Sequence, residues 1–409
     1  MLPPNSCRPS RQRRNSEHPP VPPQKHLCLS AVCSANRTES RHITGTWQGC
    51  LVTEWHRRAI LRASAVAAIG TTGLAAVGAA ALRRGPQRAV TAAHLRGAAP
   101  LPHAQIISLD RVAGRGRLSD ALRTAHRAVA AADGGSIAAW LALGEGVLPE
   151  RASKPRHLTR MPHFPGDVLD PAQSHGDLLL QFTGTSARGA HEAAQRTLRV
   201  LPQWRVRWRM EGVRAENHTE GGRGLSRNPF HFTEGYGNSA TLAGTADRAS
   251  VRAEQNEPAW AVGGSYQVIR IVRLATGFWD RDTVHEQERI IGRRRDGRWL
   301  DGTPKDEEPV FAADPRGKTT PLDAHVRRAA PDRRNPPPII RRGYNYKRGN
   351  DDQGLIFSCF QRDLSLGFEA VQKRLNGEAM ANYVLTVGGG YFFVPPTGGT
   401  WIGELGRER

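Results

Sequence analysis

Residues 204–209 (WRVRWR) alternate apolar and charged side chains with a period of two, which predicts a strand with one buried face. Residues 105–110 (QIISLD), 177–182 (DLLLQF), 265–274 (SYQVIRIVRL), 355–360 (LIFSCF) and 391–394 (YFFV) are apolar runs of strand length. A period near 3.6 takes over at 118–133 (LSDALRTAHRAVAAAD) and again after Ser186 (SARGAHEAAQRTLRVL), where the serine suits a helix N-cap. A third helix is predicted over 278–292 (FWDRDTVHEQERIIG), with Asp280 near its start, and a short one over 368–374. The strand–helix–strand unit occurs twice, before and after about residue 245, which predicts a layered α+β or α/β architecture. Residues 295–335, rich in Pro, Gly and charge, read as a long loop, and loops of that length tend to carry function.

The first 50 residues show no such pattern. Pro, Ser, Arg and Asn dominate, so the stretch cannot bury enough surface to offset its ordering entropy, and it reads as unstructured or as an over-extended translation start. Four of the five cysteines lie there (Cys7, Cys28, Cys33, Cys50), without His partners at zinc-site spacing. Residues 51–82 look different. Arg57-Arg58 precede an uncharged run of Ala, Gly, Leu, Val and Thr that ends in the small residues Ala79-Ala80-Ala81. A paired arginine before a mildly apolar segment predicts a Tat-type export signal cut near Ala81, hence an extracellular or periplasmic protein; an Ala-rich surface helix is the plainer reading.

Of 409 residues, 38% are hydrophobic and the mean hydropathy is −0.52, which excludes a multi-span membrane protein, and no run is apolar enough to predict a stable span. The formal charge is +20. Residues 1–81 hold ten Lys/Arg and three Asp/Glu, so the remainder is still about +13. No helix-turn-helix, zinc-finger or RNP pattern accompanies that charge, so no nucleic-acid partner is expected. The remaining cysteine, Cys359, lies in an apolar strand without a local His and reads as a buried structural thiol.

Several motifs fail. Residues 114–119 (GRGRLS) lack the third glycine of a dinucleotide fingerprint, and 285–289 (HEQER) lack the second His of a zincin. Gly184-Thr185-Ser186 has no nucleophile elbow. Four segments remain: 227–238 (RNPFHFTEGYGN), 323–327 (DAHVR), 338–346 (PIIRRGYNY) and 357–363 (FSCFQRD).

In this order, and together with GDLLLQF, SYQVIRIVRL, EQERIIGRRRDG and VGGGYFFVPP, these segments resemble the dye-decolourising (DyP-type) haem peroxidases, in their Tat-exported, deferrochelatase-like branch. The resemblance covers roughly residues 164–402. It implies an α+β fold of two ferredoxin-like halves, each a four-stranded antiparallel sheet with helices, at about 100–245 and 246–409, with haem b in the second half. It further implies His325 as the iron ligand, Arg341 as the distal arginine, and Asp363 as the acid that hydrogen-bonds the ligand His, although Asp363 reads equally well as a strand-end cap. Arg327 is a candidate partner for a haem propionate, and Phe357 a candidate wall of the haem site. An imidazole backed by a carboxylate suits ferric iron, and a guanidinium on the open face suits the charge that develops as peroxide cleaves.

The chain departs from the family's G-x-x-D-G at residues 231–235, which read HFTEG. Glu234 replaces the proton-relaying Asp with a side chain one methylene longer. His231 replaces the first Gly, where it would crowd the pocket, act as a base or bind iron. The expected activity is oxidation of bulky reductants such as dyes and phenols by hydrogen peroxide. A haem-binding or deferrochelatase-like iron-uptake protein, and a degenerate homologue with little turnover, are the alternatives. The Tat machinery is an expected partner, and a homo-oligomer is left open.

Overall fold

The computed structural model describes residues 92–148, 153–349 and 351–405. The extension predicted at 1–50 and the signal at 51–82 lie outside them.

The first half runs β1 (His103–Arg111), α1 (Leu118–Ala132), β2 (Ile137–Leu143), β3 (Leu178–Gly184), α2 (Ala187–Arg199) and β4 (Trp204–Val213). Its strands pair antiparallel in the order β4-β1-β3-β2, the ferredoxin-like arrangement. The amphipathic pattern forms helices as expected. Ala121, Leu122, Ala125 and Val129 bury one stripe of α1. Helix α2 starts where Ser186 Oγ accepts from Gly189 N at 3.1 Å, and it rests on the sheet through the small side chains of Ala190, Ala193 and Ala194. Strand β4 buries Trp204, Trp208 and Met210 and turns Arg205 and Arg209 outward.

A second sheet follows: β5 (Ala215–Glu220), β6 (Arg223–Arg227) and β7 (Thr233–Glu234). After α3 (Leu242–Ala249) comes the second half: β8 (Ser265–Leu274), α4 (Thr276–Trp279), α5 (Val284–Ile291), α6 (His325–Ala329), β9 (Ile340–Arg341), β10 (Tyr344–Lys347), β11 (Gln353–Gln361), α7 (Ala370–Leu375), β12 (Val384–Val394) and α8 (Trp401–Leu405). Strands β12, β8 and β11 repeat the antiparallel order of the first half, with β9 and β10 on the far edge of β11.

The halves join edge to edge, β2 to β12 at Leu143↔Phe393 and β4 to β10 at Val213↔Asn345. Because β10 also pairs with β11, the sheet closes on itself into a barrel. One face of every strand in this ring contributes to a single inner core, with Ile106, Trp140, Leu179, Trp208, Ile269, Tyr344, Phe360 and Phe392 among its members. The opposite face packs under α1, α2 and α8.

Several elements differ from the sequence expectation. The helix predicted over 278–292 is two pieces, because Thr283 caps a fresh start: its Oγ1 accepts from Glu286 N at 3.2 Å. The last strand is eleven residues long and runs through Gly388-Gly389-Gly390. A Cβ on Gly389 would sit 2.0 Å from the Ile269 carbonyl oxygen, and φ there is +119°, so glycine admits a bulge where Thr386 and Gly388 slip register. Strands β2, β5, β6, β7, β9 and β10 and helices α3, α6 and α8 have no counterpart in the sequence reading, α6 lying inside the stretch read as a long loop.

Candidate functional site

A cavity of about 310 Å³ opens in the second half, at the lower end of the range for small-molecule sites. Its walls are mostly apolar: Val272 and Leu274 of β8, Leu355 and Phe357 of β11, Phe230 and Phe232, Ile291, Val326, Phe368 and Val371. His325, Arg341 and Glu234 all line it, so the structure brings together three residues more than a hundred positions apart at the extremes.

His325 begins the one-turn helix α6. Its Nδ1 lies 2.6 Å from Glu378 Oε2, and its Nε2 has no protein partner among the described residues. Glu378 is buried, and Ala379 N donates to Asp323 O at 3.4 Å, which ties the two segments together. Burial lowers the basicity of the imidazole. The charge and hydrogen bond of Glu378 outweigh it, so the net shift is upward. This leaves a well-oriented, electron-rich nitrogen open to the cavity.

Arg341 ends the two-residue strand β9, which pairs with β11 at Cys359. Asn238 clamps its backbone from both sides: Oδ1 accepts from Arg341 N and Nδ2 donates to Arg341 O, each at 2.8 Å. The guanidinium has no hydrogen bond or ion pair among the described residues. A Cβ on Gly237 would lie 2.6 Å from its Nη2, so a larger residue there would push the guanidinium aside. Burial pulls the guanidinium below its usual range, opposed by the charge of Glu234. Glu234 itself sits on β7, paired with Ser226, and its Oε1 accepts from Asn228 Nδ2 at 3.1 Å.

More positive charge faces the same space. Arg293 is sandwiched between the Tyr236 and Trp299 rings, 4.2 and 4.1 Å from their centroids, and burial with the charge of Arg333 pushes it down to about 9. Arg333 is buried and donates from Nε to Glu308 at 2.7 Å.

Three expectations need correction. Asp363 does not contact His325; Glu378 does. Asp363 accepts from Ser365 Oγ at 2.6 Å and Leu366 N at 3.0 Å and lies 3.3 Å from His157 Nε2. Burial alone would raise its carboxyl; these hydrogen bonds and His157 hold it below the usual range. It is the strand-end cap. Arg327 does not line the cavity. It is buried and donates to the carbonyls of Phe311, Asp314 and Thr320 in the preceding loop. Positions two apart on a helix point to opposite sides, so His325 and Arg327 cannot serve one site.

His231 does not crowd the pocket either. Its side chain is half-exposed and lies 3.3 Å from Asp280, and it is absent from the cavity wall. Its φ is +69°, the left-handed region, which explains why the family pattern has glycine here. His231→Gly should relieve that strain at the cost of a weak surface pair, raising stability by a few tenths to ~1 kcal/mol. Urea unfolding at unchanged m-value checks it; a fall in midpoint would give the Asp280 pair the larger weight.

Sequence reasoning missed Glu378, Asn228, Asn238, Arg293 and Arg333. Asn228 and Asn238 flank the altered motif, but nothing in the sequence tells a positioning amide from a turn former.

The profile described as "Dyp-type peroxidase, C-terminal" matches residues 225–398, and "Dyp-type peroxidase, N-terminal" matches 118–214. A deferrochelatase of Yersinia pestis is 38% identical over 279 residues, 64% of this chain and 64% of that one. The chain thus spans about 64% of the length of the curated relatives it matches. Among solved structures, an oxyferrous complex of DtpA from Streptomyces lividans superposes with a TM-score of 0.66 at 28% identity, over 74% of this chain and 90% of that one. A DyP-type peroxidase from Streptomyces coelicolor gives 0.65 at 28%, over 73% and 90%. With both halves matched by one family's two profiles and the same fold in its solved members, the chain belongs to the Dyp-type peroxidase family, with deferrochelatases among its relatives.

Proposed function

We propose that the protein is a haem-dependent peroxidase that uses hydrogen peroxide to oxidise bulky organic reductants such as phenols and dyes. One observation carries the reading. One apolar cavity presents an imidazole nitrogen backed by a carboxylate and a half-buried guanidinium, neither with a protein partner among the described residues.

The residues fit the group that the family implies. His325 Nε2 would ligate the iron, the apolar walls at Leu274, Phe357 and Val326 would cover the ring, and Arg293 and Arg333 would face its carboxylates. Haem, when bound, supplies the electron exchange with peroxide and reductant. The chain's own groups do the rest. Glu378 fixes the tautomer of His325 by accepting at Nδ1. Glu234 is free at Oε2 to carry a proton from one peroxide oxygen to the other. Arg341 offers its unpaired charge to the oxygen that becomes negative as the O–O bond polarises, in an apolar site where such charge counts most. The retained carboxylate and guanidinium speak against a decayed homologue.

The test is a visible spectrum of the protein supplied with haem. The expected result is a Soret band that changes on adding hydrogen peroxide and returns on adding a phenol. A band indifferent to peroxide overturns the reading. A second reading, release of iron from haem, rests on the relatives' name alone. Recovery of iron-free porphyrin, with no dye oxidation, favours it.

We also infer Tat export to the extracellular or periplasmic side, on the strength of Arg57-Arg58 and the apolar run that follows. Among the described residues no helix is long and apolar enough to cross a membrane. Replacing Arg57 and Arg58 with Lys should retain the chain in the cytoplasm, as fractionation would show; unimpaired export sinks the assignment.

A further inference from the structure

We propose that Asn228 is a positioning residue: its side-chain amide anchors Oε1 of Glu234, leaves Oε2 as the oxygen that carries the proton, and thereby accommodates the extra methylene that glutamate brings to this site. The inference deepens the peroxidase reading and rests on it.

The argument is one of hydrogen-bond valence. Asn228 Oδ1 accepts from two backbone donors, Phe230 N at 3.1 Å and Phe232 N at 3.0 Å. The backbone of Asn228 closes the same turn, donating from N to Phe232 O at 3.0 Å and accepting at O from His231 N at 2.9 Å. The amide therefore has one orientation. Flipped, its NH2 would meet two N–H donors. With Oδ1 committed, Nδ2 must point out of the turn, where it reaches Glu234 Oε1 at 3.1 Å.

That contact can only be a donation to the carboxylate, and it occupies one of its two oxygens. The other has no protein partner among the described residues. A glutamate side chain has one more rotatable bond than an aspartate and would otherwise sample several positions for its carboxylate. A donor fixed by the backbone at residues 228–232 reduces this to one. The charged groups that act on the same carboxylate are Arg341, Arg214 and His325. None of them is hydrogen-bonded to it, so Asn228 is its sole direct anchor among the described residues.

Asn228→Asp separates this role from turn building. Aspartate is isosteric and keeps an oxygen for Phe230 N and Phe232 N, but it turns the donor at Glu234 into an acceptor. We expect the haem-loaded variant to keep the parent's KM for the phenol while the pH profile of its reaction with peroxide moves up by about one unit or more, because two facing carboxylates retain a proton to higher pH. A second readout needs no haem. The infrared carboxylic-acid band that disappears in Glu234→Gln should persist to higher pH in Asn228→Asp than in the parent. Combining Asn228→Asp with Glu234→Gln reverses donor and acceptor, and should restore the unfolding midpoint without restoring the peroxide rate. If profile and band both match the parent, Asn228 only builds the turn and the proposal fails. If the parent itself shows no reaction with peroxide, the peroxidase reading fails, and the infrared comparison still decides the Asn228–Glu234 contact.

Discussion

His325→Ala should purify without haem, or hold it only when imidazole is added. Among the described residues, the substitution removes the one nitrogen that combines an oriented ring with a free lone pair on the cavity. Losing the outer partner of a metal-ligating His alone typically costs 10–100-fold in metal affinity, so losing the ligand itself should cost well over 100-fold. The variant also leaves Glu378 buried with no partner, which costs stability of order 1–3 kcal/mol or more. Exogenous imidazole guards against mistaking a misfolded chain for a ligand-free one, since it refills the vacated volume and restores a Soret band only if the pocket has formed. Glu378→Gln, which keeps the hydrogen bond and drops the charge, should retain haem at reduced affinity. Full haem content with an unchanged spectrum in His325→Ala, read by absorbance, would remove His325 as the ligand.

The fold was legible wherever burial is one-sided. Strand β4 shows in WRVRWR because its tryptophans alternate with the exposed Arg205 and Arg209, although a bulge at Val206–Trp208 sends Trp204 to the outer core and Trp208 to the inner one. Helix α2 shows in the capping Ser186 and its stripe of small residues. Strand β2 is silent for a different reason. Three of its seven residues, IAAWLAL, are alanines, which carry little strand preference of their own; full burial alone does not hide a strand, since β3 is as completely buried and still reads as an apolar run. Strands β9 and β10 are too short for any period to appear, yet β10 closes the barrel and β9 carries Arg341.

The site divides in the same way. His325, Arg341 and Glu234 stand in segments whose order resembles a known family, and they meet at one cavity. Glu378 follows an ordinary Asn-Gly turn, 53 residues from the His it contacts, and no spacing rule spans that distance. The family resemblance assigns the support of His325 to Asp363, against its plainer reading as a strand-end cap. Its hydrogen bonds to Ser365 and Leu366 are local, and local capping is what such an acid most often does. Arg327 is a case of the same kind: beside His325 in sequence, it faces the other side of a single helical turn.

Arg341→Leu should slow the reaction with peroxide by about 10³-fold, and Glu234→Gln by only about tenfold. The difference follows from what can substitute for each group. Removing one preorganised donor from a developing anion costs ~10²–10³-fold, and in an apolar cavity no water replaces a guanidinium's fixed charge. Arg341 is held for this purpose by its backbone, which Asn238 clamps on both sides, while Gly237 leaves room for its Nη2. No protein group among the described residues pairs with that guanidinium, so its charge is available in the resting state. A proton, by contrast, can travel through an ordered water when the carboxylate is gone. Arg341→Lys should recover part of the loss, because it restores the charge without the planar fork. Stopped-flow mixing with peroxide, at matched haem content, measures all three variants. If Arg341→Leu leaves the rate unchanged while Glu234→Gln abolishes it, the carboxylate and not the guanidinium controls O–O cleavage, and the order of importance argued here is reversed.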